Sequence, residues 1–344
     1  MTVLQSAPTQ IPPFARILQL AMSSWVAAAV SAVAELAVAD ALAEGPRDVE
    51  DLAKELDADP TNLYRLLRAC ADLELFEERE GRVFALAEVG QALRSDAPDS
   101  MRNFARWVGT PAERNTWTGL ADSVRTGRSV FESVHGKPVW EYMRDNPKTA
   151  EIFDLAMTDT SSQVTTPVVK AYDYSSFRKV VDVGGGHGQL LAAVLAANPQ
   201  AQGVLFDQPQ VVAGAGAEFE KVGVQDRVEI AGGDFLESVP AGGDAYLVVN
   251  VLHNWEDKKA EVILSRIREA MAEDGRVLIV AVVMPADGNE GLTVKLMDLN
   301  MMAHADGVQR SEAQYEELFA KAGLKLSRIL PGGGLCSIVE AVRA

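Results

Sequence analysis

Basic residues are scarce in this chain: 32 Lys and Arg stand against 49 Asp and Glu, a formal net charge of −17. No Lys/Arg cluster interrupts the acidic excess, so a phosphate backbone would be repelled and nucleic acid is not an expected partner. Cysteine is nearly absent. Cys70 and Cys336 each lie in an apolar segment at a spacing that suits neither a zinc site nor a disulfide framework, and they read as buried thiols of a reducing cytoplasm. Histidine occurs only at positions 135, 187, 253 and 304, and no metal-ligand cluster is visible, so no metal is expected. A signal or anchor is also missing: Ile17–Ala34 carry no charge, but the run is rich in Ala and Ser, contains Gln19, and lacks a basic start and a cleavage-like end. It reads as a buried helix, with no membrane partner.

One absence is more telling. After the apolar run Val180–Val183 the glycines fall at Gly184, Gly185, Gly186 and Gly188, and Gln189 stands where a dinucleotide fingerprint needs its last glycine. Gly-x-Gly-x-Gly preceded by Asp182 is instead the pattern of enzymes that use S-adenosylmethionine (SAM). A strand, a tight turn and the helix-like Leu190–Ala197 form a nucleotide pocket, because glycines admit positive φ and the first N–H groups of a helix favour polar ligands. Gly203–Phe206 reads as the next strand, ending at Asp207, where a ribose-binding acid belongs in a doubly wound fold.

At 344 residues, 48% of them hydrophobic, the chain has room for two domains with cores of their own. Residues 1–10 read as a disordered lead. From Pro12 to Glu44 the pattern is helical, and the small-residue run around Trp25 would let another helix approach closely; with little of its own chain to cover it, this helix is expected to pack on a second subunit. Asp48–Leu56 and Asp59–Arg68 read as two short helices, Pro60 opening the second, and Leu75–Phe84 as a hairpin around Gly81. Together they spell a winged helix, which the acidic balance makes a dimerisation module rather than a DNA reader. Residues 101–175 read as helices with many aromatics, Trp107 among them, which either line a pocket for a flat substrate or pack a core. Beyond them strands and helices alternate, with strands at Val228–Ala231, Ala245–Leu252 and Arg276–Met284 and helices at Val211–Val222, Lys258–Met271, Leu292–Ala303 and Ser311–Ala322. That order implies an α/β fold with a parallel sheet, closed by the strand pair Leu326–Leu330 and Ser337–Val342. The expected domains are 1–100, a linking helical segment 101–175, and 176–344.

With these residues in hand, the chain resembles the SAM-dependent O-methyltransferases that include plant phenolic methyltransferases and bacterial antibiotic-tailoring enzymes. The likeness runs from about Pro13 to Ala344 and rests on Val181–Gly188, Gly232-Gly-Asp-Phe235, Val251-Leu-His-Asn-Trp255, Asp298-Leu-Asn-Met-Met302 and Arg310-Ser-Glu312. It is similar to the members that methylate mitomycin, anthracycline and phenazine precursors. The resemblance implies a Rossmann-like SAM-binding domain behind a winged-helix domain through which two chains form a homodimer. It also implies that Asp182, Gly184, Gly186 and Gly188 shape the methionine and ribose pocket, that Asp207 holds the ribose hydroxyls, and that Gly233, Asp234 and Phe235 flank the adenine. A turn or helix cap is the lesser alternative for Asp234. His253 matches the family's general base, and Trp107, Met157, Asn254, Trp255 and Asn300 are the expected contacts of a small aromatic or polyketide-like acceptor.

Around His253 the chain departs from the family. An acid commonly follows the His, where Asn254 stands here; acids commonly flank it from the fifth strand and from the position before the Arg-Ser pair, where Ala281 and Gln309 stand; and Val249 replaces a frequent Lys. A carboxylate orients an imidazole and stabilises its protonated form, Gln does only the first, and Ala does neither. Asp298, Glu256 or Asp257 are candidate replacements. A phenol with pKa near 10 facing an ordinary imidazole requires roughly 5 kcal/mol for full proton transfer, so the base acts during attack or the acceptor is more acidic. The losses also admit a SAM-binding scaffold turned to hydroxylation, decarboxylation or a pericyclic step.

Overall fold

The computed structural model describes residues 11–286, 288 and 290–344, so the expected lead over residues 1–10 lies outside the described residues. Two compact units form: the described part of Met1–Arg114 with Pro147–Asp159, and Asn115–Asn146 with Thr160–Ala344.

In the first unit the expected long helix is three pieces, Pro13–Ala21, Ser23–Glu35 and Val38–Ala41, the last break falling at Ala37 with φ +55°. The small-residue run does admit a close neighbour. A Cβ on Gly109, at the end of the helix Arg102–Gly109, would stand 2.6 Å from Ser31 Cβ. That helix is capped from far along the chain by Asp159, which accepts from the Asn103 and Phe104 N–H groups at 2.7 and 3.2 Å. The winged helix is present: Val49–Glu55 is capped by Asp48 and Pro60–Ala71 by Asp59. Strands β1 (Arg47–Asp48), β2 (Phe76–Arg79) and β3 (Val83–Leu86) form a small antiparallel sheet in the order β1-β3-β2. Gly81 and Arg82, both at positive φ, make the hairpin turn. Among the described residues nothing buries the outer face of the first two pieces. Phe14, Ile17 and Trp25 are 77%, 66% and 67% exposed, and Pro13–Glu35 is long and apolar enough by composition to cross a membrane.

The second unit is built on a seven-stranded sheet: β4 (Lys179–Val183), β5 (Gln202–Asp207), β6 (Val228–Gly232), β7 (Ala245–Val249), β8 (Arg276–Val282), β9 (Leu324–Gly333) and β10 (Cys336–Arg343). Their order is β6-β5-β4-β7-β8-β10-β9, with β4 to β8 parallel and β10 antiparallel to both neighbours. Parallel strands covered on both faces must be apolar throughout, and Val180, Val181, Leu247, Val248, Leu278 and Val280 are fully buried. The chain order reverses between β4 and β7, which opens a crevice at their carboxyl ends. At the far edge the buried Glu340 carboxylate ties β10 to its surroundings, accepting from Tyr172 Oη at 2.6 Å, Ser327 Oγ at 2.8 Å, Arg328 Nη2 at 2.9 Å, and Arg276. Cys70 is buried, Cys336 half-buried, and both are free thiols.

Element boundaries move where local chemistry intervenes. The expected helix Val211–Val222 is two short ones, Pro209–Val212 and Gly216–Lys221, separated around Gly214. Strand β7 stops at Val249 because Asn250 takes φ +53°, and a single 3₁₀ turn, Leu252–Asn254, follows. The closing strands run longer than expected. Ser311 caps Glu312–Lys321 in a reciprocal box with Gln314.

Candidate functional site

Three of the signature segments emerge at the carboxyl ends of β4, β6 and β7, while Asp298–Met302 and Arg310–Glu312 follow β8. After β4, Gly184, Gly186 and Gly188 take φ of +70°, +58° and +83°, a conformation that L side chains rarely adopt. Space imposes the same choice. A Cβ on Gly184 would stand 2.6 Å from Val251 Cγ2, one on Gly188 2.4 Å from Phe219 Cζ, and one on Gly185 2.5 Å from the Asp182 carboxyl. At Gly186 a Cβ would meet nothing within 4 Å, so that glycine faces open space. Asp207, ending β5, accepts from Gly186 N at 2.9 Å and from Gln208 N at 2.7 Å, which fixes its carboxylate against the glycine turn. Asp182 lies beneath, fully buried with Oδ1 unpaired; burial, and then the charge of Asp207, push its pKa up to about 7.

After β6, Gly233 packs where a Cβ would strike the Phe206 ring at 2.6 Å, and its N–H donates to Asp207 O at 3.0 Å. Asp234 is exposed and does cap a turn, accepting from Leu236 N at 2.8 Å. Phe235 stands edge-on to Trp255, with ring centroids 5.9 Å apart.

After β7 comes the His253 loop. His253 Nδ1 is buried without a partner, and burial, followed by the positive charge of Arg310, lowers the ring's pKa to about 4. Asn254 turns its amide back to Asn250 O at 3.3 Å. Ala281 is buried in the core on β8. Gln309 is 3% exposed and both of its amide atoms are unpaired, while its backbone N–H donates to Asp298 Oδ1 at 2.7 Å. Asn300, on the helix Leu292–Ala305 that also carries Asp298, has a buried, unpaired Oδ1. Backbone bonds draw these segments together: Val308 N donates to His253 O at 2.9 Å and Gly307 N to Met301 O at 3.3 Å. Of the proposed compensating acids, Asp298 is thus engaged with Gln309 and Asp257 with Arg310, at 2.8 Å. Trp107 and Met157 belong to the first unit, where Trp107 is buried against Phe153 at a ring distance of 5.0 Å.

Sequence reasoning missed Gly307 and Arg310. A Cβ on Gly307 would stand 2.2 Å from His253 O, so glycine is required for two backbones to touch. Arg310 is 1% exposed, whereas arginine is ordinarily a surface residue; its place in the Arg-Ser pair before a helix cap was the available signal. Among the described residues no cluster of three His, Cys, Asp or Glu side chains could hold a metal.

Comparison with known proteins matches residues 117–325 to the O-methyltransferase domain and residues 18–96 to the O-methyltransferase dimerisation domain. A phenazine O-methyltransferase of Lysobacter antibioticus is 38% identical over 96% of either chain. The solved structure of LaPhzM superposes with a TM-score of 0.91 at 37% identity, covering 97% of this chain and 100% of that one. An O-methyltransferase from neocarzinostatin biosynthesis, solved with SAM and 2-hydroxy-5-methyl naphthoic acid, gives a TM-score of 0.81 at 32% identity, covering 98% and 100%. A Streptomyces purpurascens relative at 32% identity, spanning 87% of this chain and 81% of its own, is named aclacinomycin 10-hydroxylase.

Proposed function

Because the chain belongs to the SAM-dependent O-methyltransferase family, we propose that it methylates a hydroxyl group of a small aromatic or polyketide-like secondary metabolite, with His253 as general base. The observation that carries this reading is the convergence, at the ends of β4 and β7, of a glycine cradle and a loop bearing a neutral imidazole.

The residues present fit the cofactor. Gly186 leaves open the space beside the turn, and the Asp207 carboxylate keeps unused lone pairs for the ribose diol. Phe235 offers an aromatic face to the adenine, with Asp234 beside it. When bound, SAM supplies a methyl group on a sulfonium whose leaving thioether is neutral. The chain's task is then to align the acceptor oxygen and to take one proton.

His253 takes that proton. With a pKa near 4 the ring is unprotonated at neutral pH and available throughout the physiological range, but it is a weak base. Full transfer from a phenol of pKa 10 would require about 8 kcal/mol, so the proton moves as the oxygen attacks, or the acceptor is a more acidic hydroxyl. Burial and Arg310 weaken the ring as a base, and neither Ala281 nor Gln309 offsets them by stabilising an imidazolium. Gln309 and Asn300 instead offer unpaired buried amide atoms, a donor and acceptors that suit a substrate with a second polar group near the reacting hydroxyl. The enzyme works as a cytoplasmic homodimer, with the exposed apolar face of Pro13–Glu35 covered by its partner.

A second reading, in which the scaffold binds SAM but runs other chemistry, is favoured by the missing carboxylates and by the hydroxylase name of one relative. Transfer of isotopically labelled methyl from SAM into a small-molecule extract of the producing cells separates the two. Label in one product, lost in His253→Ala, is the expected result. Calorimetric SAM binding without labelled product would instead favour the second reading or an acceptor absent from that extract.

A further inference from the structure

The segment that follows the helix Leu292–Ala305 grips the His253 loop with both backbone and side chain. Gly307 lies against His253 O, and Val308 N donates to that same oxygen at 2.9 Å. Arg310 completes the grip. Its Nη1 donates to Leu252 O at 2.9 Å and its Nη2 to Trp255 O at 2.8 Å, so the guanidinium bridges the carbonyls before and after the base. The base of this fork is itself rigid: Arg310 O accepts from Met284 N at 2.9 Å just beyond β8, and the next residue, Ser311, is a helix cap.

We propose that Arg310 is a positioning residue for the reaction, its buried guanidinium tying down the loop on both sides of His253 and so setting where the imidazole stands. The proposal rests on His253 being the base. A buried cation is an expensive way to fill space, and an apolar side chain would serve packing as well or better. Its charge is answered by Asp257, through Oδ1 at 2.8 Å from Nη2 and 3.1 Å from Nε, but that carboxylate is 63% exposed and answers it only in part. The charge of Arg310 also acts on Tyr315, buried on the neighbouring helix, and on His253. The geometry therefore joins two tasks in one residue: the planar fork fixes the loop, and the residual positive charge disfavours protonation of the ring it positions.

The test reads the ring directly. The full chain, labelled with ¹³C-histidine, contains four histidines, and the His253 signal is identified by its loss in His253→Ala. Between pH 5.5 and 8.5 wild-type His253 stays neutral; in Arg310→Met its signal shifts and its pKa rises toward that window, with burial still holding it below the ordinary value. Arg310→Lys keeps the charge without the fork: His253 stays neutral, its signal shifts, and labelled-methyl turnover into the cell extract falls by about 10- to 100-fold while calorimetric SAM affinity holds. A folded Arg310→Met whose His253 signal neither shifts nor titrates overturns the proposal. Should Arg310→Met fail to fold, Arg310→Lys decides alone, and an unchanged signal with unchanged turnover overturns it. If His253→Ala keeps turnover, the base assignment falls instead, and the titration still judges whether Arg310 holds the loop.

Discussion

The two halves of the site are made of different material. Around the glycine turn, recognition is built into the backbone: glycines at positive φ, a carboxylate already bound to a backbone N–H, and an aromatic ring packed on its neighbour. Around His253 it is built from side chains whose polar atoms are buried and left unpaired: His253 Nδ1, Asn300 Oδ1 and the whole Gln309 amide. Native proteins pair nearly all such groups, and under the proposed function the acceptor supplies the partners of these. Asp182 Oδ1 is the exception on the cradle side; under the proposed function the rest of the cradle is formed by the chain itself and the acceptor side is the one a substrate would complete. A common cofactor and varied acceptors would produce that division in any enzyme of this family.

The comparison breaks most sharply at His253. Replacing it with Ala should lower labelled-methyl turnover by about 10²–10⁴ and leave calorimetric SAM affinity unchanged; a parallel loss of SAM binding would show that the halves are not separable. Gly188→Ala attacks the other half. A Cβ at φ +83° and 2.4 Å from a buried Phe219 should destabilise the fold by on the order of 3 kcal/mol, seen as a lower thermal midpoint, and weaken SAM binding by more than about tenfold. Gln309→Leu sharpens the contrast by removing an unpaired buried amide. It should raise stability by about 1–2 kcal/mol while raising the acceptor KM and sparing SAM affinity; a lower thermal midpoint would mean that the amide is already satisfied in the free enzyme.

A further effect is one of pH. Asp182 has a folded-state pKa near 7, above its value in the unfolded chain, so the folded state holds the proton more tightly. Its contribution to stability is complete below the unfolded value near 4 and fades as pH rises to about 7. Asp182→Asn should flatten that decline in a series of thermal melts between pH 4 and 8. A slope identical to that of the wild type would remove Asp182 from the account.

What the sequence made legible follows the same line. Asp207 at a strand end and the offset of Gly184, Gly186 and Gly188 carry their meaning within a few residues of chain. Gly307 did not, because its constraint comes from a backbone more than fifty residues away, and its own φ needs no glycine. Arg310 was readable as part of a motif but not as buried, since nothing local distinguishes an arginine that faces three acceptors from one that faces water. The ends of β7 and of the helix Ser23–Glu35 were misplaced for a related reason: Asn250 and Ala37 adopt positive φ under tertiary pressure that an L residue resists on its own.

The apolar first helix changes what stability means for this protein. Phe14, Ile17 and Trp25 are exposed among the described residues, and the family's dimerisation domain begins among them. A fold finished by a second copy obeys mass action, so its melting temperature carries a protein concentration inside it. Dilution then acts on the enzyme as a destabilising substitution would, and abundance in the cell becomes one of the terms that hold it together.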